Sequence, residues 1–380
     1  MPWREVSIMD IRREFAVLAS LPGSRMAELC RRFGISRPTG YKWLRRFCEG
    51  ESLADRSRRP QSSPRRTEAA TEASVLAVRQ AHPCWGARKI AAVLAADGLA
   101  SPAVSTVHAI LVRHGEVGAG PCATAPVQRF EKPAPNLLWQ MDFKGRVQTS
   151  DGRWCHPLTV LDDHSRFALC LAACADERTQ TVRPLLERTF RLYGLPDAFY
   201  VDNGPPWGGG VPGQWTPLGV FLLKLGVEVI HAQPYHPQSR GKNERFHRTL
   251  KAELFAARPF RNLAQMQRGL DSWRILYNTR RPHQALAMDV PASRYRPSPR
   301  PFPASLPCIE YDGTDIVRRV GPAKSYVSFK NRLWRVPKAF IGEQVAIRPD
   351  QRDGLYRVCF GATQIAEINL NNDQQNQQKV

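Results

Sequence analysis

The apolar residues of the first fifty positions recur at helical intervals. In SRMAELCRRFGISRPTGYKWLRRF, Leu29, Phe33, Ile35, Tyr41, Leu44 and Phe47 follow that spacing around a break at Gly34. Ser36 is placed to cap the second helix, and Pro38 fits only in its first turn. A short turn with Gly, then a helix whose first turns can enter a major groove, is helix–turn–helix grammar. Arg37, Thr39, Lys42 and Arg45 are the polar residues of that helix. An ordinary helical hairpin with a solvated basic face has the same pattern. Residues 67–115 predict three more amphipathic helices, TEASVLAVRQAHP, GARKIAAVLAADG and SPAVSTVHAILVRHG. Gly98 and Gly115 stand where helix C-caps belong, and Ser101 before Pro102 is a start signal. This second module is either another DNA reader, with Ser105, Thr106 and His108 near the groove, or a spacer or dimer element.

The pattern changes over residues 136–293. LLWQMDF, WCHPLTVLDD and RFALCLAAC read as three strands in succession. TQTVRPLLERTFRLYG is a helix closed by Gly194, AFYVDNG a short strand, and TPLGVFLLKLG a helix with Thr216 as cap. VEVI is a fifth strand, and SRGKNERFHRTLKAELFA and NLAQMQRGLDSWRILYNTR are helices. Three strands followed by a mixed αβαβα run predict an α/β layer fold with a mixed sheet. Residues 308–370 read as all-β. SYVSF and RLWRV flank Lys330 and Asn331 as a hairpin, and Asp353-Gly354 precedes the alternating Tyr356, Val358 and Phe360. Some five short strands there predict a small barrel.

Proline-dense stretches at 55–66, 118–135 and 294–307 read as extended linkers rather than packed elements. The expected organisation is therefore a helix–turn–helix domain over 1–54, a basic linker over 55–66 and a second helical domain over 67–117. A linker over 118–135, an α/β core over 136–293, a Pro-rich linker over 294–307, a small β-barrel over 308–370 and a polar disordered tail over 371–380 complete it.

Charge narrows the function. Among 380 residues, 55 Lys and Arg oppose 34 Asp and Glu, a formal net charge of +21, while 42% hydrophobic residues suit a globular chain. So large an excess is out of place in an ordinary metabolic enzyme and predicts a polyanionic partner, nucleic acid or an anionic membrane. No apolar run approaches the roughly 20 residues that span a bilayer, and the charged first residues lack a signal-peptide apolar region. Nine scattered cysteines form no CxxC pair, which reads as a reduced, cytoplasmic protein without a zinc site. Arg58 and Arg59, in the first linker, either follow phosphates or a minor groove or belong to a solvated tether.

The chemistry concentrates in three acids. Asp142 in WQMDF and Asp202 in FYVDNG stand at ends of apolar strands, where a charge is costly unless compensated. Crevices at strand ends are the default sites of α/β sheets. A third acid, Glu244, lies on the helix after the fifth strand. Three converging carboxylates repel one another, and a divalent cation with a taste for hard oxygen, Mg²⁺ or Mn²⁺, resolves that. His247, Arg248 and Lys251 share the Glu244 face, while Phe246, Leu250 and Leu254 form the opposite apolar stripe. An acid for metal beside bases for phosphate suits an enzyme of the nucleic-acid backbone. A plain Glu244–Arg248 surface pair, worth a few tenths of a kcal/mol, is the simpler alternative.

WQMDF, LTVLDDHSRF, FYVDNG and PYHPQSRGKNERFHRTLKAEL closely resemble the retroviral-integrase-type catalytic core of bacterial insertion-sequence transposases. FGISRPTGYKWLRRF, HPCWGARKIAAVL, YNTRRPHQAL and the β-rich tail resemble the single-reading-frame group of the same family, in the same order over nearly the whole chain. The resemblance implies a ribonuclease-H-like core and a metal triad falling on Asp142, Asp202 and Glu244. It puts the basic residue seven after the Glu at Lys251, near the DNA end, and it makes Asp162 and Asp163 structural rather than metal ligands. Between the last two acids lie 41 residues (244 − 202 − 1), against about thirty-five in the family. The surplus falls in the Gly-rich PPWGGGVPGQW, at 205–215, either a surface insertion, the favoured reading, or a mobile flap. The zinc-binding His/Cys module of retroviral integrases is absent.

The implied activity is that of a DNA transposase. Two Mg²⁺ ions, or Mn²⁺, bridged by Asp142 would support hydrolysis at an element end and attack of the freed 3′-hydroxyl on target DNA. Lys242, His247, Arg248 and Lys251 would orient phosphates. Synapsis of two ends implies double-stranded DNA as partner and at least a dimer. The alternatives are a catalytically silent DNA-binding regulator and a nuclease that cuts without joining.

Overall fold

The computed structural model describes residues 7–57, 66–117, 131–208, 214–231, 241–322 and 324–371. The chain divides into two units, 1–67 and 68–380. In the first, α1 (Ile8–Ser20), α2 (Met26–Arg32) and α3 (Arg37–Cys48) enclose Phe15, Ala19, Cys30, Trp43 and Leu53. Ser36 caps α3 as expected, accepting from the Thr39 amide, and Pro38 sits in the first turn. Gly40 is what lets α3 approach so closely. A Cβ there would lie 2.6 Å from Cys30 Sγ and 2.9 Å from the Phe15 ring. Tyr41, which the helical spacing groups with the apolar positions, is 57% exposed instead. It lies one turn from both Arg37 and Arg45 on the outer face.

The second unit opens with α4 (Ala69–Ala81), α5 (Ala87–Ala96) and α6 (Val104–Arg113), packed around Val75, Trp85, Ile90, Leu94, Val107 and Ile110. Its central sheet contains β1 (Trp139–Phe143), β2 (Val147–Gln148), β3 (Trp154–Asp162), β4 (Ala168–Cys174), β5 (Ala198–Val201) and β6 (Glu228–His231). The order is β4-β3-β1-β5-β6, with the short β2 also pairing β3. The first three are antiparallel and β1, β5 and β6 are parallel, so the mixed sheet and the ribonuclease-H-like order are those expected. Helices α7 (Thr179–Tyr193) and α8 (Pro217–Lys224) bury Leu186, Phe190, Leu218 and Phe221 against one side. Helices α9 (Gly241–Leu250) and α10 (Leu263–Thr279) enclose Phe246, Leu250, Met266, Leu270 and Trp273 with Leu161 and Leu171.

After the short helix α11 (Pro291–Arg294) the expected free linker is instead a docked strap. Tyr295 stacks on Phe167 at 4.3 Å, and Phe302 lies against Phe190. Arg300 donates to the carbonyls of Pro196, Leu225 and Gly226. Proline keeps this segment extended but does not keep it off the surface. A guanidinium with several donors can satisfy three loop carbonyls at once.

The tail is also corrected. It forms an open four-stranded sheet, β12-β11-β10-β7, and a separate β8–β9 hairpin, not a closed barrel. The strands are β7 (Ile316–Arg319), β8 (Tyr326–Phe329), β9 (Arg332–Arg335), β10 (Gln344–Pro349), β11 (Leu355–Phe360) and β12 (Thr363–Asn369). Closure would need pairing of the two edge strands at a fixed stagger. Here apolar cover replaces pairing: Val327, Phe329 and Trp334 of the hairpin and Val220 of α8 join Val345, Ile347, Val358 and Phe360. Lys224 and Glu343 form an ion pair beside them. The predicted hairpin turn is present, with Lys330 and Asn331 both at positive φ.

Candidate functional site

β1 is an apolar strand, with Trp139 and Met141 buried, whose penultimate residue is the partly buried Asp142. Its register pairs Asp142 with Thr159 of β3, Trp139 with Phe199 and Gln140 with Tyr200 of β5. β5 ends at Val201, so Asp202 directly follows the strand that runs parallel to β1. The turn after β5 is pinned twice. The Gly204 amide donates to Asp202 Oδ1 at 3.0 Å, and the buried Trp207 stacks on Phe143 at 5.4 Å. Residues 209–213 of the Gly-rich stretch, read above as a surface insertion or a mobile flap, lie outside the described residues.

Glu244 is an exposed residue of α9, whose other face carries Phe246 and Leu250 of the predicted stripe, continued by Leu254 in the turn that follows, all buried beside Trp273 and Tyr277. Among the described residues no ion pair joins Glu244 to Arg248. His247, one turn on, reaches the sheet: its Nε2 is 2.9 Å from Thr159 Oγ1, and that hydroxyl donates to the Asp142 carbonyl at 2.9 Å. Burial first, and Lys144 second, lower the His247 pKa to about 4, so the ring is neutral near pH 7. Lys144, two residues after Asp142, is itself held below the usual lysine range by burial and by Lys251. Arg248 and Lys251 are exposed, and Lys251 opens a π-helical turn, Lys251–Phe255, a feature frequent at functional sites.

Asp142 thus lies in β1 and Asp202 directly after its parallel neighbour β5, while Glu244 stands on a helix tied through His247 and Thr159 to the Asp142 carbonyl. The donor chemistry, three carboxylates, suits Mg²⁺ or Mn²⁺. Among the described residues, however, no group of three or more His, Cys, Asp or Glu side chains stands close enough to hold a metal. The residues that lead into α9, 232–240, lie outside them.

Asp162 and Asp163 are fully buried and engaged. Asp162 accepts from Ser165 and from the Asn136 amide, and burial raises its pKa despite those bonds. Asp163 accepts from Gln140 Nε2 and the Lys132 amide and pairs with Lys242. Lys242, expected to face phosphate, is therefore seated on Asp163. Thr159 and Lys144 escape the sequence reading. A threonine inside an apolar strand and a lysine at a strand end carry no spacing signal, and only the register exposes them.

In the first unit, Arg37, Lys42 and Arg45 are exposed on α3. Thr39 is partly buried, its hydroxyl 2.9 Å from that of Ser36. In the second unit, Ser105 and His108 are exposed on α6 and Thr106 is partly buried. Arg58 and Arg59 lie outside the described residues.

Comparison with known families agrees with this layout. An integrase core domain model matches residues 132–237 and a second integrase core domain model 225–291. A helix-turn-helix domain matches 12–61, a homeodomain-like domain 39–111, and the C-terminal domain of IS481 family transposases 315–376. The chain thus carries segments similar to helix-turn-helix domains, to an integrase core and to the C-terminal domain of IS481 family transposases, in that order. It is 30% identical over 159 residues to the insertion element IS407 uncharacterized 31.7 kDa protein of Burkholderia multivorans, covering 42% of this chain and 55% of that protein. It is 30% identical over 158 residues to the insertion element IS476 uncharacterized 39.2 kDa protein of Xanthomonas euvesicatoria, covering 42% and 44%. The chain thus spans about half the length of these curated relatives. The simian T-cell lymphotropic virus intasome, solved with PP2A regulatory subunit B56 gamma, superposes at a TM-score of 0.40 and 15% identity over 78% of this chain and 96% of that one. Among the described residues no helix is long and apolar enough to cross a membrane.

Proposed function

We propose that the chain is a DNA transposase that cuts a strand at the end of an insertion sequence and joins the freed 3′-hydroxyl to target DNA. The observation that carries this reading is the placement of Asp142 in β1 and of Asp202 directly after the parallel neighbour β5, with the Glu244 helix tied through His247 and Thr159 to the carbonyl of Asp142. Asp142, Asp202 and Glu244 would hold the divalent ions. Such ions, when bound, make a nucleophile of water or of a 3′-hydroxyl and stabilise the leaving oxygen. The protein's own contribution is position and charge. Lys144, two residues after Asp142, and the exposed Arg248 and Lys251 would supply positive charge for the phosphates on either side of the cut. Neutral His247, already bonded to Thr159, serves position rather than phosphate charge. The exposed α3 residues Arg37, Lys42 and Arg45 would contact the element end, and the basic tail the target duplex. Synapsis of two ends requires at least two copies of the chain.

The test is incubation of the full chain with DNA carrying the sequences that flank its reading frame, with Mg²⁺, followed by mapping of cuts and joints. We expect nicks at the element ends and joined strands with a precut end. A DNA complex without nicking, even in Mn²⁺, would instead make the chain a silent regulator. Cuts without joining would make it a nuclease.

A further inference from the structure

We propose that Thr159 and His247 are positioning residues that set α9 against the Asp142 end of β1 and thereby tune how tightly the three carboxylates hold a divalent ion. This rests on the metal-centre reading above. Thr159 sits between Leu158 and Val160 in an apolar strand and is buried. A hydroxyl there costs about 1–3 kcal/mol unless it is paired, and this one is paired twice. It has one hydrogen, which goes to the Asp142 carbonyl at 2.9 Å. The remaining 2.9 Å contact therefore requires His247 to donate from Nε2 to the hydroxyl oxygen.

The chain of bonds runs from α9 through β3 to the backbone of Asp142 itself. Thr159 faces Asp142 in the strand register, and directly opposed residues share one face of a sheet. His247 lies three residues after Glu244, on the same helix face. Fixing the His247 ring therefore fixes the rotation and the height of α9 at the Glu244 turn. That restraint matters because three like charges resist approach. Apolar packing through Phe246 and Leu250 holds the opposite face of α9 and Lys242 at its start pairs with Asp163, while the His247 bond is a restraint that leads to Asp142 itself. Outer partners of this kind, when removed, weaken metal sites by about 10–100-fold.

Mn²⁺ alone, titrated into the full chain and read by electron paramagnetic resonance, tests the proposal without any DNA reaction. Thr159→Val and His247→Phe should each weaken Mn²⁺ binding about tenfold or more, with the thermal midpoint of the metal-free protein and DNA affinity near wild type. Thr159→Ser, which keeps the hydroxyl, should bind Mn²⁺ within about threefold of wild type. Because each partner acts through the other, the double variant should be no worse than the more affected single one. Wild-type Mn²⁺ affinity in both Thr159→Val and His247→Phe would overturn the proposal and leave the metal centre standing. Equal loss in Thr159→Ser and Thr159→Val would also overturn it, since the hydroxyl would then not be what matters. Wild-type binding no tighter than that of Asp142→Asn would overturn the metal-centre reading and this inference with it.

Discussion

Asp142 and Asp163 are both carboxylates at the ends of apolar strands, and their surroundings give them different work. Asp163 is buried, paired with Lys242 and bonded to Gln140 and the Lys132 amide. Asp142 is partly open and lies in β1, whose parallel neighbour β5 runs directly into Asp202. The order of the motifs along the chain is enough to separate the two, but the reason is not legible there, because Gln140, Lys132 and Lys242 meet Asp163 only after folding. His247 shows the same limit. Its spacing from Glu244 is visible in the sequence; its bond to Thr159, 88 residues away, is not. That bond has a consequence for pH. The His247 pKa falls from 6.5 to about 4 on folding, so the unfolded chain binds the proton first as pH drops. The stability associated with the neutral ring is fully present above pH 6.5 and is lost as pH falls toward about 4. Urea unfolding between pH 7.5 and 4 should show a steeper decline for wild type than for His247→Gln. Equal slopes would refute the assignment.

At the level of elements, the sequence pattern is most informative where one face of a helix is buried. It locates α3, its Ser36 cap and the apolar side of α9. It misplaces Tyr41, because a single aromatic at a helical interval fits either face, and here Gly40 turns the neighbouring face inward. It locates the strands of the tail but not their closure, because alternation states which side chains point inward, not whether the edge strands pair. The strap after α11 departs from expectation because Pro content signals extension and is silent about docking. The α3 assignment predicts a salt effect. Replacing Arg37, Lys42 or Arg45 by Ala should weaken binding to the element end and lower the slope of log K against log salt by about one for each phosphate no longer neutralised. Titrations between low and moderate salt check this, and unchanged slopes in all three variants would remove α3 from the interface.

For the molecule as a whole, the net charge of +21 is the most economical single statement of purpose. It forecasts a polyanionic partner before any motif is considered, and the matched helix-turn-helix and integrase core models agree with it. Charge says nothing about chemistry, however, and the chemistry depends on residues 142, 202 and 244 acting as a unit. Two of them belong to adjacent parallel strands, Asp142 within β1 and Asp202 directly after β5, and the third stands on a helix bonded through His247 and Thr159 to the Asp142 carbonyl. The most direct measurement is strand cleavage of end-labelled element DNA in Mg²⁺ by Asp142→Asn, Asp202→Asn and Glu244→Gln, alongside a binding assay on the same DNA. Each variant should bind the DNA as wild type does and cut it at least about a thousandfold more slowly, a loss of roughly 4 kcal/mol in transition-state stabilisation. Near-wild-type cutting by any one of the three would contradict the account.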